Sequence, residues 1–215
     1  MTQSTEANAA GAAPVSAPAK RSRHFSARDI VNVAIFAVIY FVVVFAMAML
    51  GVISPMVMIA TLSLTPIVAG IPYMLFLTRV RHAGMVSLMG AALAALDLVI
   101  GHPWQSALLI VAVSLAGELI MAAANYGSTW AAIWTYTVFS AWFIGPWVPF
   151  LIDPAGYLAN YGLEAYGEDY ARVFRELVTV PTILLMFLAT VMCGFLGGLL
   201  GTRLLAKHFR RAGLA

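Results

Sequence analysis

Six long apolar runs follow one another along the chain, separated by short polar, glycine- or proline-marked breaks. They cover about residues 29–50, 56–78, 83–100, 106–124, 130–152 and 178–206. As helices, runs of this length cross a hydrocarbon layer of about 30 Å. No run alternates apolar and polar positions, so the pattern predicts helices and not barrel strands. The expected fold is an all-α integral membrane protein with six transmembrane helices. Pro66 and Pro72 fall inside the second run, Pro146 and Pro149 inside the fifth. The longest connection, about residues 153–177, sets Tyr157, Tyr161, Tyr166 and Tyr170 among acids and glycines. A short amphipathic helix is predicted around 163–176. It reads either as a lid or as an interfacial helix held by tyrosines.

Composition agrees with the pattern. Of 215 residues, 62% are hydrophobic and only 10% charged, against roughly 25% charged in soluble domains. Too few charges remain to cover a soluble surface. Residues 1–24, rich in Ala, Ser, Thr and Pro, have no apolar stretch ahead of their basic cluster. They read as a disordered cytosolic tail before the membrane domain, residues 25–215, and not as a secretory signal. Cys193 is the single cysteine, so neither a disulfide framework nor a cysteine metal site is expected. No metal or other cofactor is called for.

The net charge of +3 is placed as a topology signal and does not suggest nucleic acid. Lys20, Arg21, Arg23 and Arg28 precede the first run, Arg79 and Arg81 follow the second, and Arg203, Lys207, Arg210 and Arg211 close the last. On the opposite side Arg172 and Arg175 are outnumbered by Asp153, Glu164, Glu168, Asp169 and Glu176. The bias predicts both termini in the cytosol, as six spans require, and residues 153–177 outside. The expected location is the cell membrane, in multi-pass form, with lipid as surroundings.

Ionisable groups inside a membrane are costly and face the protein interior. Two acids lie within runs: Asp97, near the outer end of the third, and Glu118, deeper in the fourth. The short turn between these runs carries His102, Trp104 and Gln105. Together they predict a polar, aromatic pocket open to the outside, to which Trp142 and Trp147 add flat faces. The competing readings are structural. Glu118 would satisfy a backbone freed by proline, Asp97 would cap at the interface, and Trp142 would simply pack. Gly194, Gly197, Gly198 and Gly201 form two interleaved small-xxx-small pairs, a signal of close helix contact inside the protein or with a partner. Ala34 and Ala37 offer a small-residue face on the first run. No Walker A, dinucleotide, H-E-x-x-H or G-x-S-x-G motif occurs, and no histidine lies at depth as a base. An enzyme is not expected.

Further residues carry a resemblance. Phe25-Ser-Ala-Arg28-Asp29-Ile30 leads into Ala34-Ile-Phe-Ala37-Val-Ile-Tyr40-Phe41, Gly70-Ile-Pro72-Tyr73 follows, and the chain ends Lys207-His208-Phe209-Arg-Arg-Ala212-Gly213-Leu214. With the glycine motif, this resembles the MptD, or Trep-Strep, group of substrate-binding S components of energy-coupling factor (ECF) transporters. The resemblance runs from about Phe25 to the C-terminus. It implies a six-helix binding subunit that captures a small micronutrient, an unidentified ligand, at the outer face. It also implies partners: a transmembrane T component and two cytosolic ABC ATPases, with first-helix small residues such as Ala34 and Ala37 as docking surface. Here the family's A-x-x-x-A spacing is degenerate, because Val38 stands four residues after Ala34. The alternative is a stand-alone facilitator or proton-coupled carrier using Asp97 and Glu118. A third reading, an intramembrane enzyme acting on lipid through a carboxylate and His102, is the weakest.

Overall fold

The computed structural model describes residues 26–80, 82–160 and 162–211, less the side chains of Glu164 and of residues 208–211. The tail 1–24, Arg81, Tyr161 and the last part of the C-terminal signature lie outside the described residues. Helix α1, Ala27–Met49, begins with a capping box. The Ser26 side chain accepts from the Asp29 amide, and the Asp29 carboxylate accepts from the Ser26 amide at 2.9 Å, satisfying orphan donors from both sides. Helix α2, Pro55–Leu77, starts with Ser54 as cap and Pro55 in its first turn, where proline's missing N–H costs nothing. Helices α3, Met85–Val99, and α4, Trp104–Ala123, are joined by a tight turn in which Gly101 takes φ 91°. Helix α5, Thr129–Phe139, continues as a 3₁₀ stretch, Ser140–Trp147, and then as α6, Val148–Ile152. Pro146 falls in this tighter winding, since proline cannot donate to the α-helical ladder, and Pro149 in the first turn of α6, where its missing N–H costs nothing. Helix α7, Pro154–Asn160, and α8, Glu168–Leu177, lead to the long α9, Val180–Arg211.

Among the described residues, five helical stretches are long and apolar enough to cross a membrane: Ala27–Val52, Pro55–Leu77, Trp104–Ala123, Thr129–Ile152 and Val180–Lys207. The third apolar run differs. It forms only the 15-residue α3, which rises about 22 Å. Gly84 at φ 96° delays its start, and the Gly101 turn closes directly after it. The protein is thus an all-helical integral membrane protein with five candidate spans and one shorter apolar helix between the second and third. Large apolar side chains such as Val38, Val42, Leu119, Leu185 and Met192 face outward, as lipid contact allows.

Helix α2 lies along α9, α3 along α4, and α1 against α2 and α3. Glycine makes the α2–α9 approach possible. A Cβ on Gly70 would stand 2.7 Å from the Gly197 carbonyl, and one on Gly201 would stand 2.8 Å from Met74 Cγ. A Cβ on Gly197 would run into the Pro66 carbonyl, one on Gly194 into the Ser140 side chain, and one on Gly198 would come within 3.3 Å of Ile133. The glycine motif therefore makes contacts inside the protein, with α2 and with the α5 segment.

At mid-depth the core is aromatic. Tyr73 stacks on Phe139 with ring centroids 4.7 Å apart and meets Tyr40 edge-on at 5.7 Å. The Tyr136 hydroxyl donates to the Pro66 carbonyl at 2.7 Å, a polar tip satisfied within an apolar layer. A second cluster, with Trp147, Phe150, Leu163, Ala171, Phe174 and Val178, ties the 163–178 segment onto one end of the bundle. Helix α8 buries Ala171 and Phe174 there and leaves Arg172 and Glu176 exposed. The predicted amphipathic helix is thus present but starts at Glu168, after a single 3₁₀ turn over Leu163–Tyr166.

Candidate functional site

Beneath that segment lies a cavity of about 670 Å³. Its walls come from the second half of α1 (Tyr40 to Met49), the start of α2 (Met58, Leu62), the end of α3 with the 100–103 turn, and the 142–149 stretch. Tyr157, Tyr166 and Tyr170 close it from the side of α7 and α8. The volume suits a small organic molecule.

The polar groups of the cavity are few and are built by local structure. Asp97 sits in the last turn of α3 and is only 3% exposed. The Gly101 turn folds the chain back, so that the His102 amide donates to the Asp97 carbonyl at 3.2 Å. The same turn brings His102 Nδ1 to Asp97 Oδ1 at 2.5 Å. Asp97 Oδ2 is buried with no hydrogen-bond partner among the described residues. Trp142 Nε1 donates to the Tyr40 hydroxyl at 3.3 Å, which fixes the indole. The Tyr170 hydroxyl donates to the Gly51 carbonyl at 3.0 Å, clasping α8 to the α1–α2 turn.

Glu118 belongs elsewhere. Helix α3 starts at Gly84 without a side-chain cap of its own. Glu118 of α4 supplies one from outside: its Oε2 accepts from the Val86 amide at 2.9 Å and the Ser87 amide at 3.1 Å. These are orphan donors of the first turn, at the positive end of the helix dipole. Its Oε1 accepts from the Tyr126 hydroxyl at 2.8 Å. Tyr126 lies in the turn after α4 with φ 56°, an uncommon backbone for a residue with a side chain. Burial, then the Glu118 carboxylate that its hydroxyl bonds, raises the Tyr126 phenol well above its usual range, so it remains a donor. Val86 and Asp97 stand eleven positions apart in α3, about 17 Å along the axis. The two intramembrane acids therefore sit at opposite ends of one helix.

The structure brings together Asp97, His102, Trp142 and Trp147 as cavity wall. It leaves out Trp104, which is 66% exposed at the start of α4, and Gln105, whose Oε1 is buried without a partner among the described residues. Neither these two nor Glu118 lines the cavity. Ala34 faces outward on α1, whereas Ala37 is buried in the core, so the pair does not share one surface. Tyr40, Phe143, Tyr166 and Tyr170 are wall residues that run patterning alone does not single out. For Tyr40 a signal existed: it is the sole tyrosine of the first run, and an intramembrane phenol needs a partner. Among the described residues no three His, Cys, Asp or Glu side chains gather as a metal site.

Outward-facing apolar helices around a polar-aromatic cavity define an integral membrane protein. The sequence model of a family described as "Hypothetical bacterial integral membrane protein (Trep_Strep)" matches residues 27–211, and the chain belongs to that family. No curated protein and no solved structure matched the chain significantly.

Proposed function

We propose that this chain is the substrate-binding S component of an ECF-type importer, holding a small micronutrient for uptake driven by a T component and two ABC ATPases. The observation that supports it most is the cavity: about 670 Å³, walled by aromatic rings, with Asp97 and His102 as its polar anchor. In this reading α3 is a sixth, short crossing, and both termini face the cytosol. Ten of the twelve Lys and Arg residues then lie on the inner side, as the positive-inside rule asks. The cavity end faces outward, with α7 and α8 over it. The sequence has no Walker A motif, so the energy for uptake comes from partners. The exposed face of α1, with Ala34 on it, is left for the T component.

Affinity purification from the native host, through a tag on the N-terminal tail, tests this. The expected result is co-recovery of one multi-span T-type protein and two ABC ATPases. Recovery of the chain alone, under conditions that preserve a known complex of this kind, overturns it. The pair of buried Asp97 and half-buried His102 favours one other reading, a proton-coupled carrier. Uptake into liposomes by the purified chain alone, driven by a pH gradient, would establish that reading instead. Glu118 accepts from the α3 amides and the Tyr126 hydroxyl, which supports a capping role for it beside the proton site that such a carrier would use at Asp97.

A further inference from the structure

We infer that the cavity takes a flat organic cation that carries an N–H donor and neither phosphate nor carboxylate. The inference rests on the reading of the cavity as a ligand site.

Charge comes first. Among the described residues that line the cavity, Asp97 is the one carboxylate, and no Lys or Arg is present. A phosphate or carboxylate entering this space would lose water, meet no Lys or Arg and face the Asp97 carboxylate, a heavy cost. Arg172 and Arg175 lie nearby in sequence on α8, but both are exposed and neither lines the cavity.

Hydrogen bonding comes second. Buried polar atoms are nearly always partnered. Asp97 Oδ1 takes His102 Nδ1, while Oδ2 is buried and without a partner among the described residues. His102 Nδ1 donates to this carboxylate and leaves it one unused acceptor among the described residues. A ligand ammonium or ring N–H completes it, as a charge-assisted bond stronger than a neutral one.

Shape comes third. Trp142 and Trp147 are 8% and 4% exposed, and both line the cavity with Tyr40 and Tyr170. The Tyr40–Trp142 hydrogen bond fixes the Trp142 ring. Aromatic faces hold a planar ring and attract a cation over them, Trp best of all.

The test is a charge series on one ring, measured by equilibrium dialysis with the purified full chain in nanodiscs. The probes are tryptamine (cation), tryptophol (neutral) and indole-3-propionate (anion). A charge-assisted bond in a dry site predicts tryptamine bound about 10- to 100-fold more tightly than tryptophol, with indole-3-propionate weakest. In Asp97→Asn, the preference for tryptamine over tryptophol is lost. Equal binding of the three probes, or a preference for the anion, overturns the ligand class and leaves the cavity as a site. Retention of none of them at millimolar concentration overturns the cavity as a site for a flat ring, and the ligand class with it. The wild-type series needs no variant, so a misfolded Asp97→Asn does not blunt it. Since no partner protein enters the experiment, its outcome is separate from that of the T and ATPase co-purification.

Discussion

The two intramembrane acids show how differently one residue type is used. Glu118 accepts two backbone amides of α3 and the Tyr126 hydroxyl. It acts as a cap delivered from a neighbouring helix. Glu118→Gln keeps one acceptor but loses the charge that faces the helix dipole, and a loss of about 1–3 kcal/mol of stability is expected. Tyr126→Phe removes one hydrogen bond and should cost about 1 kcal/mol. Scanning fluorimetry in detergent would order them, with Glu118→Gln the less stable. Equal, unshifted midpoints would mean that the cap contributes nothing. Tryptophol retention by folded Glu118→Gln should match the wild type, because Glu118 does not line the cavity. Asp97, by contrast, has one oxygen committed and one without a partner among the described residues. Polarity and depth in the sequence mark both acids as important. They do not show that eleven residues of α3 separate the ends each acid serves, so a shared pocket was the natural reading of the linear order.

Between elements, glycines set the distances. Gly197 lies against the Pro66 carbonyl and Gly70, where backbone meets backbone. Gly198 faces Ile133, with nearest atoms at 3.3 to 3.5 Å from an added Cβ. Alanine favours a helix over glycine by about 1 kcal/mol at either position, so propensity does not separate them. Packing does: a backbone carbonyl cannot move aside, whereas Ile133 Cγ2 can. Gly197→Ala should lower the unfolding midpoint, by an overpacking cost of about 1–3 kcal/mol. Gly198→Ala should be near neutral, and a midpoint at least as low for Gly198→Ala would refute the argument. The motif was legible as a close-contact signal. Its partner was not, since a small-residue stripe has the same sequence whether it meets its own α2 or another protein. Likewise the prolines of the fifth run were visible. The 3₁₀ stretch at Ser140–Trp147, which holds Pro146 and puts Trp142 and Trp147 in the cavity wall, depends on the packing around it.

At the scale of the whole molecule, the open matter is how six apolar helices lie in a bilayer when one, α3, has 15 residues. The proposed six crossings make a sharp forecast. In a Cys193→Ala background, single cysteines at positions 54, 102 and 160 should react with a membrane-impermeant maleimide in intact cells. Cysteines at 80 and 125 should react only after the membrane is opened. Protection at 102 in intact cells together with reactivity at 125 would place α3 as a non-crossing helix and leave five spans. For the short α3 to cross, the bilayer must thin locally, at a cost of fractions of a kcal/mol per Å of mismatch.

What the linear pattern by itself determined is the solvent the protein folds in and the helices it folds as. Backbone groups in lipid must be satisfied within their own segment, so long apolar runs translate directly into helices. Basic residues gathered at run ends are likewise a property of the chain order. The tertiary structure decided everything that depends on which helix lies beside which. It placed Glu118 on the start of α3, the glycines of α9 against α2, and Asp97, His102 and the aromatic rings around one cavity. Lipid is as apolar as the helix surfaces it bathes, so hydrophobicity cannot select neighbours there. Close packing and the partnering of a few buried polar atoms make that selection, and both exist only in three dimensions.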